Sequence, residues 1–321
     1  MSRTAKIWLI VAGILVVLGP ILIVCAAASG GYFSFGKQEY ETVTHEIGST
    51  FDQIAVDTND TEITIATADE KQCKVVCTEP EKMQHTAQVE NGTLVIRSSD
   101  TRKWYERLFS FTFKAPEVTV FLPQTDYASL QVDTHTGRVH IPSDFTFNTL
   151  TVNGDAADVD CFAAVTDIFT VKLSTGDVRT GNIEAAQTEI KTSTGDVGIS
   201  SADEAGKISV TTDTGDIGVE KTSCQSLIVD TDTGDTILED TVAENSFQIK
   251  SATGRVRFNS CDAAEITVKT TTGDVTGTLL SDMVFIVNTS TGDVNVPKTT
   301  SGGKCEITTS TGDIQIDIKN K

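Results

Sequence analysis

The sequence predicts an all-β fold: a parallel β-solenoid of about ten coils of ~20 residues, preceded by an N-terminal transmembrane helix. Three observations predict it. A phrase built on Thr-Gly-Asp and a following aliphatic residue recurs, in places loosely, at Gly137, Gly154, Gly176, Gly195, Gly215, Gly234, Gly254, Gly273, Gly292 and Gly312. The gaps between these glycines are 17, 22, 19, 20, 19, 20, 19, 19 and 20 residues. Around them β-branched apolar residues alternate with polar ones, the period of a half-buried strand. Ahead of everything stands an uncharged apolar run from Ile7 to Ala28.

That run comes first. As a helix it would reach roughly 33 Å, enough to cross a hydrocarbon core. Arg3 and Lys6 precede it, while Glu39, Glu41 and Glu46 follow it. The positive-inside rule then makes residues 1–35 a cytoplasmic stub and anchor, with the C-terminal solenoid outside a bacterial cell membrane. A cleaved signal peptide ending at Ala26-Ala27-Ala28 is the competing reading, but its apolar core would be shorter. Cys25 lacks the small preceding residue of a lipoprotein acylation site.

Residues 36–127 break the strict period yet still read as strands, in FDQIAV, TEITIA and GTLVIRS. They are expected to form the membrane-proximal end of the same assembly. Within them RKWYERLFSFTFK (102–114) interleaves basic and aromatic residues. Arg102, Trp104, Tyr105, Arg107, Phe109 and Phe111 are therefore candidate partner or membrane contacts. The alternative is an amphipathic flap plugging the solenoid's open end.

Residues 128–321 carry the regular repeats. Five residues before the glycine stand Val132, Val171, Ile190, Val210, Val229, Ile249, Val268, Val287 and Ile307; Gly154 aligns poorly and is left out. Two residues after it stand Val139, Val178, Val197, Ile217, Thr236, Val256, Val275, Val294 and Ile314. Each repeat is thus strand, corner, strand and a variable return loop. The corner wants a positive φ, which glycine supplies, and the following aspartate can accept turn N–H groups. The structural turn pairs are Gly176-Asp177, Gly195-Asp196, Gly215-Asp216, Gly234-Asp235, Gly273-Asp274, Gly292-Asp293 and Gly312-Asp313. Ile314, Ile316 and Ile318 are expected to face inward, with Lys319, Asn320 and Lys321 blunting the terminal edge. An antiparallel meander with a hairpin at each glycine is the alternative.

The chain resembles the DUF4097 putative-adhesin family of bacterial β-strand repeat proteins. The resemblance rests on STGDV (174–178, 193–197 and 290–294), DTGDI (213–217), DTGDT (232–236), TTGDV (271–275) and STGDI (310–314), with VTVFLP (118–123) ahead of them. It implies a membrane anchor with a repeat ectodomain, and, more loosely, an association with envelope stress systems. Arg138 and Arg255 depart from it, standing where aspartate is expected.

A formal net charge of -20 argues against nucleic acid and anionic membrane surfaces. Stacked coils would align Asp155, Asp177, Asp196, Asp216, Asp235, Asp274, Asp293 and Asp313 in one column. Neighbouring carboxylates ~4.8 Å apart repel by about 0.9 kcal/mol in water, so something must compensate. Turn hydrogen bonds, or Arg255 between Asp235 and Asp274, would do so. Calcium is the sharper reading, with Asp213, Asp216, Asp230, Asp232 and Asp235 as its ligands. Threonine pairs such as Thr192/Thr194 and Thr212/Thr214 lie at even spacing from the buried positions, so they read as interior or corner residues. The six cysteines after the anchor read as free thiols. His45, His85, His135 and His140 fall in no catalytic motif, and identical aspartates in every coil cannot divide acid from base. The reading is therefore non-enzymatic: a cell-envelope interaction or scaffold protein with an unidentified protein or cell-wall partner. A calcium-dependent binding module is the alternative, and a carbohydrate-active enzyme the remote one.

Overall fold

The computed structural model describes residues 8, 13, 16–19, 39–69, 72–102 and 115–319. Among them no helix is long and apolar enough to cross a membrane, and the run 7–28 falls mostly outside the described residues.

From residue 39 onward the structure is strand. The N-terminal end holds β1 (Tyr40–Ile47), β2 (Gln53–Asp60), β3 (Glu62–Thr67), β4 (Cys73–Pro80), β5 (Met83–Glu90), β6 (Thr93–Asp100) and β7 (Glu117–Leu122). The long bent strands β8 (Asp126–Ile141) and β9 (Thr146–Cys161) open the regular stack. It continues through β10 (Ala164–Thr175), β11 (Val178–Gly181), β12 (Gln187–Thr194), β13 (Val197–Ser200), β14 (Ala205–Thr214) and β15 (Ile217–Glu220). Then come β16 (Ser223–Thr233), β17 (Thr236–Glu239), β18 (Val242–Thr253), β19 (Val256–Thr272) and β20 (Val275–Leu279). The far end is β21 (Met283–Thr291), β22 (Val294–Asn295), β23 (Gly303–Thr311) and β24 (Ile314–Ile318).

Each interior coil puts the strand before its corner on a front face and the strand after it on a rear face. Both faces pair in parallel from coil to coil, Ile190 over Val210 in front and Val197 over Ile217 behind. The meander is thereby excluded. A shorter third side closes each turn with small inward residues, including Ala185, Ala205, Cys224, Ala243 and Ala263. The aliphatic columns fill the interior: Val171, Ile190, Val210, Val229 and Ile249 in front, Val178, Val197 and Ile217 behind. No coil could bury these alone; stacking covers the apolar face and satisfies the strand edges together.

At the third side a second corner repeats that no glycine announces. Asn182, Ser201, Lys221, Asp240 and Ser260 each take a left-handed conformation, with φ between 45° and 57°. Their N–H groups bond the next coil, as Ser201 does to Glu220 O at 3.1 Å.

Three expectations change. Gly154 makes no corner: Ala157 stands in register with Gly137, a Cβ on Gly176 would meet the Ala157 carbonyl, and Asp177 N–H donates to Asp158 Oδ1 at 3.1 Å. With residue 157 as the corner, the gaps of 17 and 22 become 20 and 19. Consequently Asp158, and not Asp155, belongs to the carboxylate column.

The second change is at the C-terminal end. β23 pairs with β19 on one side and β21 on the other, so the coil of Gly312 lies between those of Gly273 and Gly292. The rear face agrees, with β24 between β20 and β22. Ile314 and Ile316 do face inward, but Lys319 lies one coil inside the stack, its N–H on Leu279 O at 2.8 Å. The terminal edge is formed instead by β21 and β22, where Val284, Ile286 and Val294 are exposed. Asn320 and Lys321 lie outside the described residues.

The third concerns the other end, where β1 to β7 extend both faces. β2 and β3 form a full coil, cornered by Asn59-Asp60-Thr61 without glycine and stacked in parallel on β8. β6 and β7 form the next coil outward. Outside that, β4 and β5 run antiparallel to β7 and β6, and β1 runs antiparallel to β4. Asn91 (φ 52°) and Gly92 (φ 82°) turn β5 into β6, the Asn-Gly signature of a two-residue hairpin.

Candidate functional site

Two features of the surface bear on function: the ladder at the glycine corners and a trough on the rear face.

The corner glycine is required by its neighbour. At Gly215 φ is 151°, and any Cβ would collide with the backbone carbonyl of Gly195 in the adjacent coil. The residue after the glycine builds the ladder. The N–H of Asp196 donates to Asp177 Oδ1 at 2.9 Å, Asp216 N–H to Asp196 Oδ1 at 2.8 Å, and Asp235 N–H to Asp216 Oδ1 at 2.8 Å. At the swapped end Asp313 N–H donates to Asp274 Oδ1 and Asp293 N–H to Asp313 Oδ1. Each of these carboxylates thus accepts a backbone N–H from the next coil, which offsets the repulsion between stacked charges. Arg255 interrupts the column: its N–H and guanidinium all bond Asp235, the closest contact being Nη2 to Oδ2 at 2.6 Å. These hydrogen bonds, with the charge of Arg255, hold the Asp235 carboxyl below its ordinary range.

The five residues singled out for calcium are divided by this geometry. Asp216 and Asp235 sit in the ladder, while Asp230 faces the Lys250 ammonium at 3.2 Å. Asp213 and Asp232 are exposed beside the corner. Among the described residues, no three of these carboxylates bring oxygens within 4.8 Å of one another. The first threonine of most pairs points inward, as Thr192, Thr212 and Thr309 do, and the second sits exposed at the corner. Thr192 Oγ1 lies within donating distance of two carbonyls, Thr194 O at its own corner and Gly176 O at the corner of the neighbouring coil.

Of the basic-aromatic candidates only Arg102 is described, and it is largely buried. Its guanidinium binds Asp100 at 2.8 Å, which raises its pKa, and reaches Asp60 at 3.8 Å. Trp104, Tyr105, Arg107, Phe109 and Phe111 lie outside the described residues. Cys73, Cys77, Cys161, Cys224, Cys261 and Cys305 are buried free thiols; burial pushes Cys161 up to about 12.

The trough comes from two glycines of a different kind. On the rear face the outward column reads Arg179, Gly198, Gly218, Ile237, Arg257 in consecutive coils. Neither Gly198 nor Gly218 has a positive φ, and a Cβ on either would meet nothing within 4 Å. Backbone geometry does not need them, and their effect is an open depression of about 360 Å³. Phe162 and Arg179 wall one end, Ile237 and Glu239 the other, with Glu220 between. The signal was present in DVGIS and DIGVE, where glycine stands two residues after the aspartate in successive repeats.

A coil-on-coil stack with a glycine corner and a shared carboxylate ladder defines a parallel β-solenoid repeat protein. The chain belongs to the Toastrack DUF4097 family, whose model matches residues 51–226 and 201–321. Solved structures similar to it include a putative adhesin from Bacteroides fragilis, 14% identical over 88% of this chain and 98% of that one, with a TM-score of 0.36. A putative adhesin from Parabacteroides distasonis is 11% identical over 87% and 98%, with a TM-score of 0.41. A putative cell adhesion protein from Clostridium sporogenes is 12% identical over 88% and 100%, with a TM-score of 0.21. Likeness this distant says nothing about function. No curated protein matches the chain.

Proposed function

We propose that this protein is a non-enzymatic interaction or scaffold protein of the bacterial cell envelope, anchored through residues 7–28 with its solenoid outside the membrane. The rear trough is the observation that carries the binding role. It is a depression made by two glycines whose backbone conformations any residue could adopt, on a face where neighbouring coils carry Arg179, Ile237 and Arg257. Shape and chemistry suit an extended segment of a partner lying across the coils. Its backbone would follow the glycine floor, with an apolar side chain against Ile237 and Phe162. The ladder serves rigidity, since its carboxylates are already engaged by backbone N–H groups.

Proximity labelling from the solenoid in the native cell tests both halves. A Gly198→Trp/Gly218→Trp double variant fills the trough without touching the interior. It is expected to keep the wild-type melting temperature and lose specific labelled neighbours. An unchanged set of neighbours sinks the trough as a binding surface. Cell fractionation tests the anchor: deletion of residues 7–28 should release the protein from the membrane fraction, and wild-type protein already in the soluble fraction would refute it.

A further inference from the structure

The interior of this stack is apolar or hydroxyl-bearing almost everywhere. Among the described residues two carboxylate side chains are 5% exposed, Asp100, which Arg102 engages, and Glu79, and His85 is the one buried histidine. Glu79 and His85 lie together, with Cys77, at the corner where β4 passes into β5. Cys77 and Glu79 are two residues apart on β4 and so share its inward face, and His85 meets them from β5 across the Glu81-Lys82 turn. One ligand atom from each, a sulfur, an oxygen and a nitrogen, lies within 4.8 Å of the other two. A carboxylate and an imidazole taken out of water are expensive unless something specific compensates them. Packing alone does not call for this trio.

We propose that Cys77, Glu79 and His85 form a binding site for a divalent late transition-metal ion, zinc foremost. The donor set is mixed sulfur, nitrogen and oxygen, which suits a borderline-soft ion and not calcium, whose 6–8 ligands are oxygens. Tetrahedral zinc with bonds of about 2.0–2.3 Å holds its ligand atoms roughly 3.3–3.7 Å apart. Reaching that spacing takes shifts of about 1 Å or less. The 2.7 Å contact of His85 Nδ1 with Glu79 Oε2 widens, and the sulfur already lies within 4.8 Å of both partners.

The supporting groups are in place. His85 N–H donates to Glu79 Oε2 at 2.7 Å, fixing the carboxylate, and His85 Nε2 lies 3.2 Å from the buried Thr61 hydroxyl. With the ion on Nδ1 the ring proton sits on Nε2 and donates to Thr61 Oγ1, an outer hydrogen bond that fixes the tautomer and orientation of the ring. Charge balances as well. Cys77 releases its thiol proton to solvent, and one thiolate plus one carboxylate neutralise the dication in a low-dielectric interior. Three protein ligands leave the fourth position for water. Entry is short, because β5 is the outermost strand of the front face.

Cobalt(II) titration of the full chain, first stripped by chelator, tests the site. One equivalent is expected to give a thiolate-to-cobalt charge-transfer band, which zinc then abolishes. Zinc at a hundredfold excess over Kd should raise the melting temperature by roughly 5 °C or more. Cys77→Ser and His85→Ala should each remove the band, and Cys161→Ser should keep it. A band that survives Cys77→Ser, or no band and no thermal shift, overturns the proposal and leaves a buried Glu79–His85 pair that merely pins the β4–β5 corner. Should those variants fail to fold, X-ray absorption on zinc-loaded wild type decides: one sulfur in the zinc shell supports the site, and a shell of nitrogen and oxygen alone refutes it.

Discussion

From β9 to β18 every coil lies between the coils that precede and follow it in sequence, whereas at the two ends sequence neighbours are separated. β7 leads into β8 across the coil of β2 and β3, and β20 leads into β21 across the coil of β23 and β24. The aspartate ladder of the regular coils nevertheless runs on through the exchanged C-terminal coils. The difference teaches that a repeat specifies the shape of a coil and its appetite for neighbours, and leaves open which neighbour it takes. The edges also differ. The N-terminal end finishes in antiparallel strands, with charged Glu41 and Glu46 on β1. The C-terminal edge strand β21 carries no charged residue and exposes Ile286, where inner coils place Glu306 and Thr267.

The sharpest way to break this comparison is a cross-link, whose outcome is all or none. Lys269 lies beside Thr308, and Asn288 lies one coil further out. Adjacent parallel strands bring Cα atoms to ~4.8 Å, within disulfide reach, while two coils span ~10 Å. Lys269→Cys/Thr308→Cys should therefore oxidise to a bridge seen by mass spectrometry, and Lys269→Cys/Asn288→Cys should not. The reverse result would restore sequential order.

Within the regular coils Gly215→Ala should have the next largest effect. Its methyl collides with Gly195 O, so the loss measured by urea unfolding should reach or pass the roughly 3 kcal/mol that bounds most single substitutions. Asp216→Ala removes the acceptor of Asp235 N–H at an exposed corner and should lose about 1 kcal/mol; Asp216→Asn keeps an acceptor and should lose less. Millimolar calcium should leave the melting temperature of the wild type unchanged.

The break in the ladder should respond to pH. Asp235 has a lowered folded-state pKa, so its contribution is present above the ordinary aspartate value near ~3.9 and is lost as pH falls through the folded one. The stability gap between wild type and Arg255→Gln should accordingly be widest near neutrality and close in acid. A gap that holds constant down to pH ~2 would show that Asp235 and Arg255 are not coupled. The smallest effect belongs to the other corner. Lys221→Gly relieves a left-handed lysine but loosens the unfolded chain, and should change stability by less than about 1 kcal/mol.

Much of this was legible in advance because it is local. Gly176 to Gly312 mark their corners, and the aliphatic columns on either side of them are buried as the alternation requires, except in the edge coil, where Val287 is half-buried and Val294 exposed. Other features are not carried by local pattern. Gly154 imitates a corner, and only the register with Gly137 shows Ala157 in that place. Asn182, Ser201, Lys221, Asp240 and Ser260 share a backbone conformation and no chemistry, so the second corner leaves no mark in composition. Cys77, Glu79 and His85 fit no spacing motif, because their meeting depends on an antiparallel return at the stack's edge.

The interleaved coil near the C-terminus has a consequence for synthesis. STGDV (290–294) leaves the ribosome before STGDI (310–314), and the 19 residues from Gly273 to Gly292 are the span by which any interior coil reaches the next. Before β23 emerges, β21 can therefore reach the berth on β19 that β23 finally holds. The newcomer must then displace it, and completing this molecule becomes an act of eviction between two look-alike segments.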